Sequence, residues 1–106
     1  MAFYPDKVSE SMSRTSRALL TNAIAVGPGP WLARDDINTS FAVTASSSAT
    51  VDIEVSLDGV NTVATVPLTI TLAAAGTDGD LISGAWPWVR ANVTTLVGTV
   101  SVSMGN

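Results

Sequence analysis

Three carboxylates close together in the sequence have the clearest capacity for acid–base chemistry. Asp52, Glu54 and Asp58 lie within A-T-V-D-I-E-V-S-L-D-G. Paired carboxylates hydrolyse glycosidic bonds when they face each other across about 5–9.5 Å. Alternate residues of a strand are roughly 6.5–7 Å apart, so spacing does not exclude this chemistry. No aromatic platform for a sugar accompanies them, however, and we interpret them as a solvent-exposed face that discourages pairing at a sheet edge.

Other residue types that commonly carry catalysis are missing or incomplete. The sequence has no cysteine and no histidine, which excludes disulfides, thiolate nucleophiles, Cys/His zinc sites and a Ser-His-Asp arrangement. Asp78 and Asp80 flank Gly79 like part of a calcium loop, but a full loop needs about twelve residues and a terminal glutamate. A turn-stabilising role suits them better. We predict no enzyme, no cofactor and no metal site.

Tryptophans flank the proline-containing segments. Trp31 follows Gly27-Pro28-Gly29-Pro30, and Pro87 lies between Trp86 and Trp88. We interpret Trp31 as a plug over the edge of the core, with an anchor for a neighbouring subunit as the alternative. For Trp86 and Trp88, contact with the core edge and a subunit is favoured over sugar stacking. The reason is that the chain has only one tyrosine and two phenylalanines besides its tryptophans.

The clustered carboxylates belong to a stretch with a period of two. Between Ala49 and Leu57, apolar and polar residues alternate, which is typical of an antiparallel strand with one face on a core and the other in water. The inward set is Val51, Ile53, Val55 and Leu57, and the outward set is Asp52, Glu54 and Ser56. Asp58-Gly59 is a strong turn signal after this strand. Arg90, outward on a later strand, is the predicted cross-strand partner of one carboxylate.

Similar patterns recur along the chain. We predict strands at 18–26, 37–45, 68–74, 81–82, 87–96 and 99–104, with a turn or wide loop at 75–80. The predicted inward residues are Ile37, Thr39, Phe41, Val43, Ala45, Leu68, Ile70, Leu72, Ala74, Val89, Ala91, Val93, Val100, Val102 and Met104. Frequent turn signals and the lack of a sustained helical period indicate an all-β fold. We predict a sandwich of two antiparallel sheets with six to eight short strands.

The first third of the chain differs in charge from the rest. Residues 1–34 carry four basic and two acidic residues, a net charge of +2, whereas residues 35–106 carry one basic and seven acidic residues, a net charge of −6. We predict an N-terminal arm and Pro/Gly-rich linker at 1–34 and a β-sandwich domain at 35–106. The arm would lie on another, acidic, surface; an ordinary solvated N-terminus is the alternative. Nucleic acid is not an expected partner, because phosphate contacts need many basic residues.

The composition indicates a small globular domain that depends on other subunits. Of the 106 residues, 46 % are hydrophobic and 13 % are charged, too apolar a mixture for disorder. We expect no membrane association, because an apolar run of about 18 residues is missing, as is the residue order of a signal peptide. Most of the predicted core side chains are small, and no disulfide stabilises the fold. We therefore expect oligomerisation to supply the missing stability. The predicted partner-contact residues are Arg14, Arg17, Trp31, Arg34, Trp86 and Trp88.

Four motifs, taken in order, resemble a known group of proteins. They are V-D-I-E-V-S-L-D-G, T-D-G-D, W-P-W-V-R-A-N-V-T and G-T-V-S-V-S-M-G. This series is similar to small β-sandwich structural proteins of tailed bacteriophages, and the likeness covers residues 49–106. It implies a strand-turn-strand scaffold with Arg90 beside the acidic strand, and it implies no catalytic site.

The resemblance leads to an expected function as a virion structural protein. The first hypothesis is a homotrimeric capsid decoration or cement protein that binds the major capsid protein. It would be made in the host cytoplasm and end on the capsid surface, where the lattice would stabilise a domain with a thin core by mass action. The alternative is a tail, neck or fibre component. A carbohydrate-binding module is the third hypothesis.

Overall fold

Alternating apolar residues build two antiparallel sheets in the computed structural model, which describes residues 16–34 and 38–105. The nine strands of this part of the chain are β1 Ser16–Ala23, β2 Gly27–Pro28, β3 Leu32–Ala33, β4 Asn38–Ala45, β5 Ser48–Ser56, β6 Leu68–Leu72, β7 Gly76–Ser83, β8 Trp88–Val97 and β9 Val100–Gly105. One sheet has the order β1-β9-β4-β7. The other has the order β2-β8-β5-β6, and β3 also pairs with β8. This confirms the predicted all-β antiparallel sandwich.

The core lies between the inward faces of the two sheets. Its buried residues are Leu19, Phe41, Val43, Ala45, Ala49, Val51, Ile53, Val55, Ile70, Ile82, Val89, Ala91, Val93, Val100, Val102 and Met104. The predicted inward residues of β8 and β9 are confirmed, as are those of β4 within the described residues; Ile37 lies outside them. The predictions for Leu57 and Ala74 are wrong, because both residues follow the last residue of a strand and are exposed.

Residues 16–34, which the sequence assigns to the arm and linker, contribute strands to both sheets. Strand β1 pairs antiparallel with β9 along its length, with register shifts at two places. Leu19 of β1 is buried in the core. The described part of the sandwich therefore begins at residue 16 instead of residue 35, while residues 1–15 lie outside the described residues.

The Gly-Pro segment, which the sequence assigns to a linker, runs along the edge of β8. Gly27 pairs with Val93 and Leu32 with Val89, and the Gly29 amide donates to the Ala91 carbonyl at 2.7 Å. Prolines suit this place because an edge strand needs donors on one side only. Two short paired segments, β2 and β3, replace one continuous strand and bring the number of described strands to nine.

The segment predicted as a turn or loop at 75–80 belongs to an edge strand. Strand β7 pairs with all eight residues of β4, from Gly76 opposite Ala45 to Ser83 opposite Asn38. Its exposed, glycine-rich sequence lacks an alternating apolar pattern, since Ile82 alone of its residues is buried.

The described residues include no helix long and apolar enough to span a membrane.

Candidate functional site

A cross-strand ion pair lies at the centre of the outer face of the five-stranded sheet. The register of β5 and β8 places Glu54 opposite Arg90 and Asp52 opposite Asn92. Arg90 Nε donates to Glu54 Oε1 at 2.7 Å, and Asn92 Nδ2 donates to Glu54 Oε2 at 3.0 Å. The predicted pairing of Arg90 with one of the carboxylates is confirmed. Both oxygens of Glu54 are thus used inside the chain.

Trp31 covers this ion pair. Because Leu32 of β3 pairs with Val89 of β8, the preceding residue Trp31 falls beside Arg90. The Arg90 guanidinium carbon lies 4.4 Å from the centre of the Trp31 ring, within the range of a cation–π contact. Arg90 Nη2 also donates to Thr62 Oγ1 at 3.0 Å. We call Trp31, Glu54, Thr62, Arg90 and Asn92 the Trp31–Arg90 cluster.

The loop at 57–67 folds back over the same outer face and is fixed by a turn at Asp58. Asp58 Oδ1 accepts hydrogen bonds from the amides of Val60 at 2.9 Å and Asn61 at 2.8 Å, and Ser56 Oγ donates to it at 2.9 Å. These donors, foremost the Asn61 and Val60 amides, hold the pKa of the Asp58 carboxyl well below its usual range. The loop is therefore anchored at its start.

The loop buries part of the face that the sequence assigns to solvent. Ser56 is fully buried and Glu54 is buried. Gly59, with φ of +74°, lies against the Trp88 ring, and a Cβ there would be 3.2 Å from ring carbons. The interpretation of Asp52, Glu54 and Asp58 as one solvated face is therefore wrong for Glu54. Asp52 and Asp58 stay nearer the surface.

Arg34 forms a second polar centre between β3 and the β7–β8 connection. Its side chain is only 6 % exposed. Arg34 Nε donates to Thr39 Oγ1 at 2.6 Å, and Nη1 donates to the carbonyls of Gly84 at 2.8 Å and Trp86 at 3.0 Å. Nη2 reaches the Ile82 carbonyl at 3.1 Å. The structure thus places this predicted partner-contact residue inside its own chain, where it joins segments far apart in sequence.

The other predicted contact residues lie around β3 at different depths. Arg17 is exposed, and its Nη2 donates to the Ala33 carbonyl. Trp86 is half-buried and packs against the core, whereas Trp88 is half-buried on the outer face beside Gly59. Arg14 lies outside the described residues. The region around β3 therefore brings Trp31, Arg34 and Arg17 together with both ends of Trp86-Pro87-Trp88.

The carboxylates in the described ranges act as hydrogen-bond acceptors within the chain. Asp52 accepts from Thr69 Oγ1 at 2.7 Å. Asp78 and Asp80 each accept, at 2.8 Å, from the amide of the following residue, Gly79 or Leu81. Within residues 16–34 and 38–105, no group of three or more Asp and Glu side chains is placed to hold a metal ion. What the arrangement offers is a rigid surface with an aromatic–cationic centre.

Comparison with known proteins finds the same fold in a phage-derived protein. No protein-family model matches the chain, and a search of curated proteins finds no match. Among solved structures, the crystal structure of the SPBc2 prophage-derived protein YomS superposes with a TM-score of 0.69. The match covers 87 % of this chain and 90 % of that chain, at 12 % sequence identity. At this identity the likeness establishes a shared fold.

Two contributors to the site are not singled out by the sequence. Thr62 reaches Arg90 only because the loop after β5 folds back toward β8. No local pattern in the sequence indicates this path of the loop. Asn92 could have been found, because it lies on the same face of β8 as Arg90, and side chains two residues apart on a strand share a face. Its role as a second donor to Glu54 follows from the alternation already used to assign Arg90.

Replacing Glu54 with alanine is expected to lower the free energy of unfolding by about 1–3 kcal/mol, because the half-buried Arg90 and Asn92 side chains lose their charged acceptor. Urea unfolding of the purified chain measures this loss. Asp52→Ala is the matched control, since Asp52 lies on the same face of β5 and accepts from the exposed Thr69 hydroxyl. It should change stability by no more than about 0.5 kcal/mol. Equal losses in the two variants would contradict the assignment of Glu54 as the central acceptor.

Proposed function

We propose that this chain is a non-enzymatic structural protein of a phage particle. The observation that carries the proposal is the fold shared with a prophage-derived protein over nearly the full length of both chains. The motif resemblance over residues 49–106 points in the same direction. The described carboxylates support a structural role as well, because they hold turns and cross-strand contacts together.

Within the particle, we propose a capsid decoration protein that binds the major capsid protein. A small sandwich with a core made largely of valine and alanine gains stability from a lattice that binds only its folded form. The region around β3 supplies a contact surface in which the half-buried Trp31 and Trp88 are the aromatic anchors, the residue type that dominates many interfaces. Arg17 adds an exposed cation at the same place. Arg34 is no longer a contact residue in this proposal, because it is buried.

Location and copy number in purified particles test this function. We expect the chain in heads separated from tails, in many copies per particle, and we expect purified protein to saturate heads assembled without it. Quantitative mass spectrometry of the two fractions and co-sedimentation with heads are the measurements. A few copies confined to the tail fraction would replace the decoration role with a tail, neck or fibre role, and absence from the particle would overturn both.

A surface variant makes the binding test specific. Trp31→Ala should weaken co-sedimentation with heads, because it removes the aromatic anchor above Arg90. Leu81→Ala changes an exposed residue on β7, the edge strand of the other sheet; it serves as the control and should bind as the unaltered chain does. Equal binding by both variants would place the contact surface elsewhere on the sandwich.

A further inference from the structure

One end of the sandwich gathers four chain connections. The β8–β9 turn at 98–99 lies beside the β4–β5 connection, because the Ser46 amide donates to the Thr99 carbonyl at 2.9 Å. The β1–β2 connection reaches the same end, since Ala23 pairs with Val100. The β6–β7 connection at 73–75 arrives there as well. It runs from Leu72, opposite Ala49, to Gly76, opposite Ala45.

Among the described residues, this end of the sandwich carries no charge. None of the residues 22–27, 45–49, 72–77 and 96–100 is ionisable. The charged residues of the described chain all lie on strand bodies or toward the opposite end; they are Arg17, Arg34, Asp52, Glu54, Asp58, Asp78, Asp80 and Arg90. In a chain of net charge −4, an uncharged end is a distinct surface.

Apolar side chains project from this end into solvent. Ile24 is 79 % exposed, Val26 60 % and Val97 59 %, and the three alanines at 73–75 are exposed too. We call Ile24, Val26, 73–75 and Val97 the apolar end. Clustered exposed apolar residues on a folded protein mark sites of interaction, and here they come from two of the four connections and from the last residue of β8.

The backbone beneath the apolar end is held in place. Thr99 and Ser46 form a reciprocal pair, in which the Thr99 amide donates to Ser46 Oγ at 2.8 Å. The Asn22 amide donates to Ser101 Oγ at 2.9 Å, which fixes the chain just before Ile24. A surface that is already ordered loses little conformational entropy when it binds.

We propose that the apolar end is the surface through which copies of this chain bind one another. Two copies that meet there bury apolar side chains without desolvating an ion or opposing like charges. The main alternative surface is the outer edge of β7, the last strand in the order of the four-stranded sheet in the described part of the chain, and it is unsuitable for two reasons. First, two β7 edges would bring the negative charges of Asp78 and Asp80 of both copies together. Second, these carboxylates already accept hydrogen bonds from the amides of Gly79 and Leu81, and inward-bonded charged residues of this kind protect a sheet edge from pairing.

Self-association of purified protein tests this inference independently of any role in a phage particle. We expect the unaltered chain to be oligomeric in sedimentation-velocity experiments over a range of concentrations. We expect the double variant Val26→Glu/Val97→Glu to be monomeric, with an unchanged circular-dichroism spectrum, because both side chains are exposed. The double variant Val60→Glu/Leu81→Glu adds the same charge at exposed positions outside the apolar end and should keep the oligomer. A monomeric unaltered chain, or an oligomer that survives the first pair of substitutions, would overturn the proposal.

Cross-linking gives a second test with a much smaller change of side chain. Because the chain has no cysteine, Val97→Cys introduces a single thiol at the apolar end. Mild oxidation should link two copies of this variant, whereas Val60→Cys, which is exposed on the loop at 57–67, should stay unlinked. Equal cross-linking at the two positions would show that collisions, and not a specific contact, bring the copies together.

Discussion

Replacing Arg34 with methionine is expected to lower the free energy of unfolding by about 3 kcal/mol, because hydrogen bonds from a charged donor are each worth about 1.5–3 kcal/mol and do not add fully. The guanidinium donates to the carbonyls of Ile82, Gly84 and Trp86 and to Thr39 Oγ1. Methionine fills similar space but donates no hydrogen bond, so two buried acceptors, Thr39 Oγ1 and the Ile82 carbonyl, and two part-buried carbonyls would be left without that partner. Urea unfolding followed by tryptophan fluorescence measures the shift of the midpoint.

Two variants distinguish the contribution of the planar guanidinium donors of Arg34 from the contribution of its positive charge alone. Arg34→Lys keeps the cation, yet a single ammonium cannot reproduce the planar set of donors, so it should recover only part of the loss. Arg17→Met removes an exposed arginine that donates to the Ala33 carbonyl and should cost less than about 1 kcal/mol. If Arg34→Met were no more harmful than Arg17→Met, the buried network would not hold the β7–β8 connection as described.

The sheets and their inward faces were predictable because one face of each central strand is buried. In β4, β5, β8 and β9 the alternation of apolar residues reports the packing of a pleated strand directly. Phe41, Val43, Val89, Val102 and Met104 all point into the core as the pattern indicates. The pairing of Arg90 with a carboxylate of β5 was predictable for the same reason, since the alternation places Arg90 on the outer face of β8.

The outer face of the five-stranded sheet was not predictable in this way. Part of it contacts the loop after β5, in which the Asp58 and Gly59 amides donate to Ser56 Oγ and Thr62 Oγ1 accepts from Arg90. Such a contact between a loop and a distant strand leaves no periodic signal in the sequence. The same holds for Arg34, whose acceptors at 82–86 come about fifty residues later in the chain. The charge of Arg34 suggested an exposed residue that contacts a partner, and only the tertiary arrangement shows that its side chain is buried within its own chain.

The strand predicted at 81–82 is part of β7, but residues 76–80 of β7 escaped prediction. These residues fit β7 because they let its backbone approach β4 closely, and they show no apolar alternation. A Cβ at Gly79 would lie 2.7 Å from the Phe41 carbonyl oxygen, closer than such atoms normally approach. Glycine therefore allows β7 to lie tightly against β4. Read locally, however, a glycine between two aspartates is a turn signal, and the neighbouring strand that justifies it cannot be seen in the local sequence.

Replacing Phe41 with alanine is expected to be the most damaging core substitution, with a loss of about 3–5 kcal/mol in the free energy of unfolding. Phe41 is 2 % exposed and is the largest of the fully buried side chains in the described chain. It lies between Asp80 of β7 and Met104 of β9 across the four-stranded sheet. Its neighbours in the core are mostly valine, alanine and isoleucine, which are too short to fill the cavity. The loss should appear in thermal and urea unfolding alike.

Graded substitution at the same position tests that cause. Phe41→Leu keeps much of the apolar volume and should cost clearly less than Phe41→Ala, because the penalty grows with the cavity that is left. Leu81→Ala removes an exposed leucine from the adjacent strand and should change stability by no more than about 0.5 kcal/mol. Since a domain of this size has a margin of roughly 5–15 kcal/mol, Phe41→Ala should remove a third or more of the stability of a chain near the middle of that range. A loss as small as that of Leu81→Ala would mean that the two sheets do not depend on Phe41 to fill the space between them.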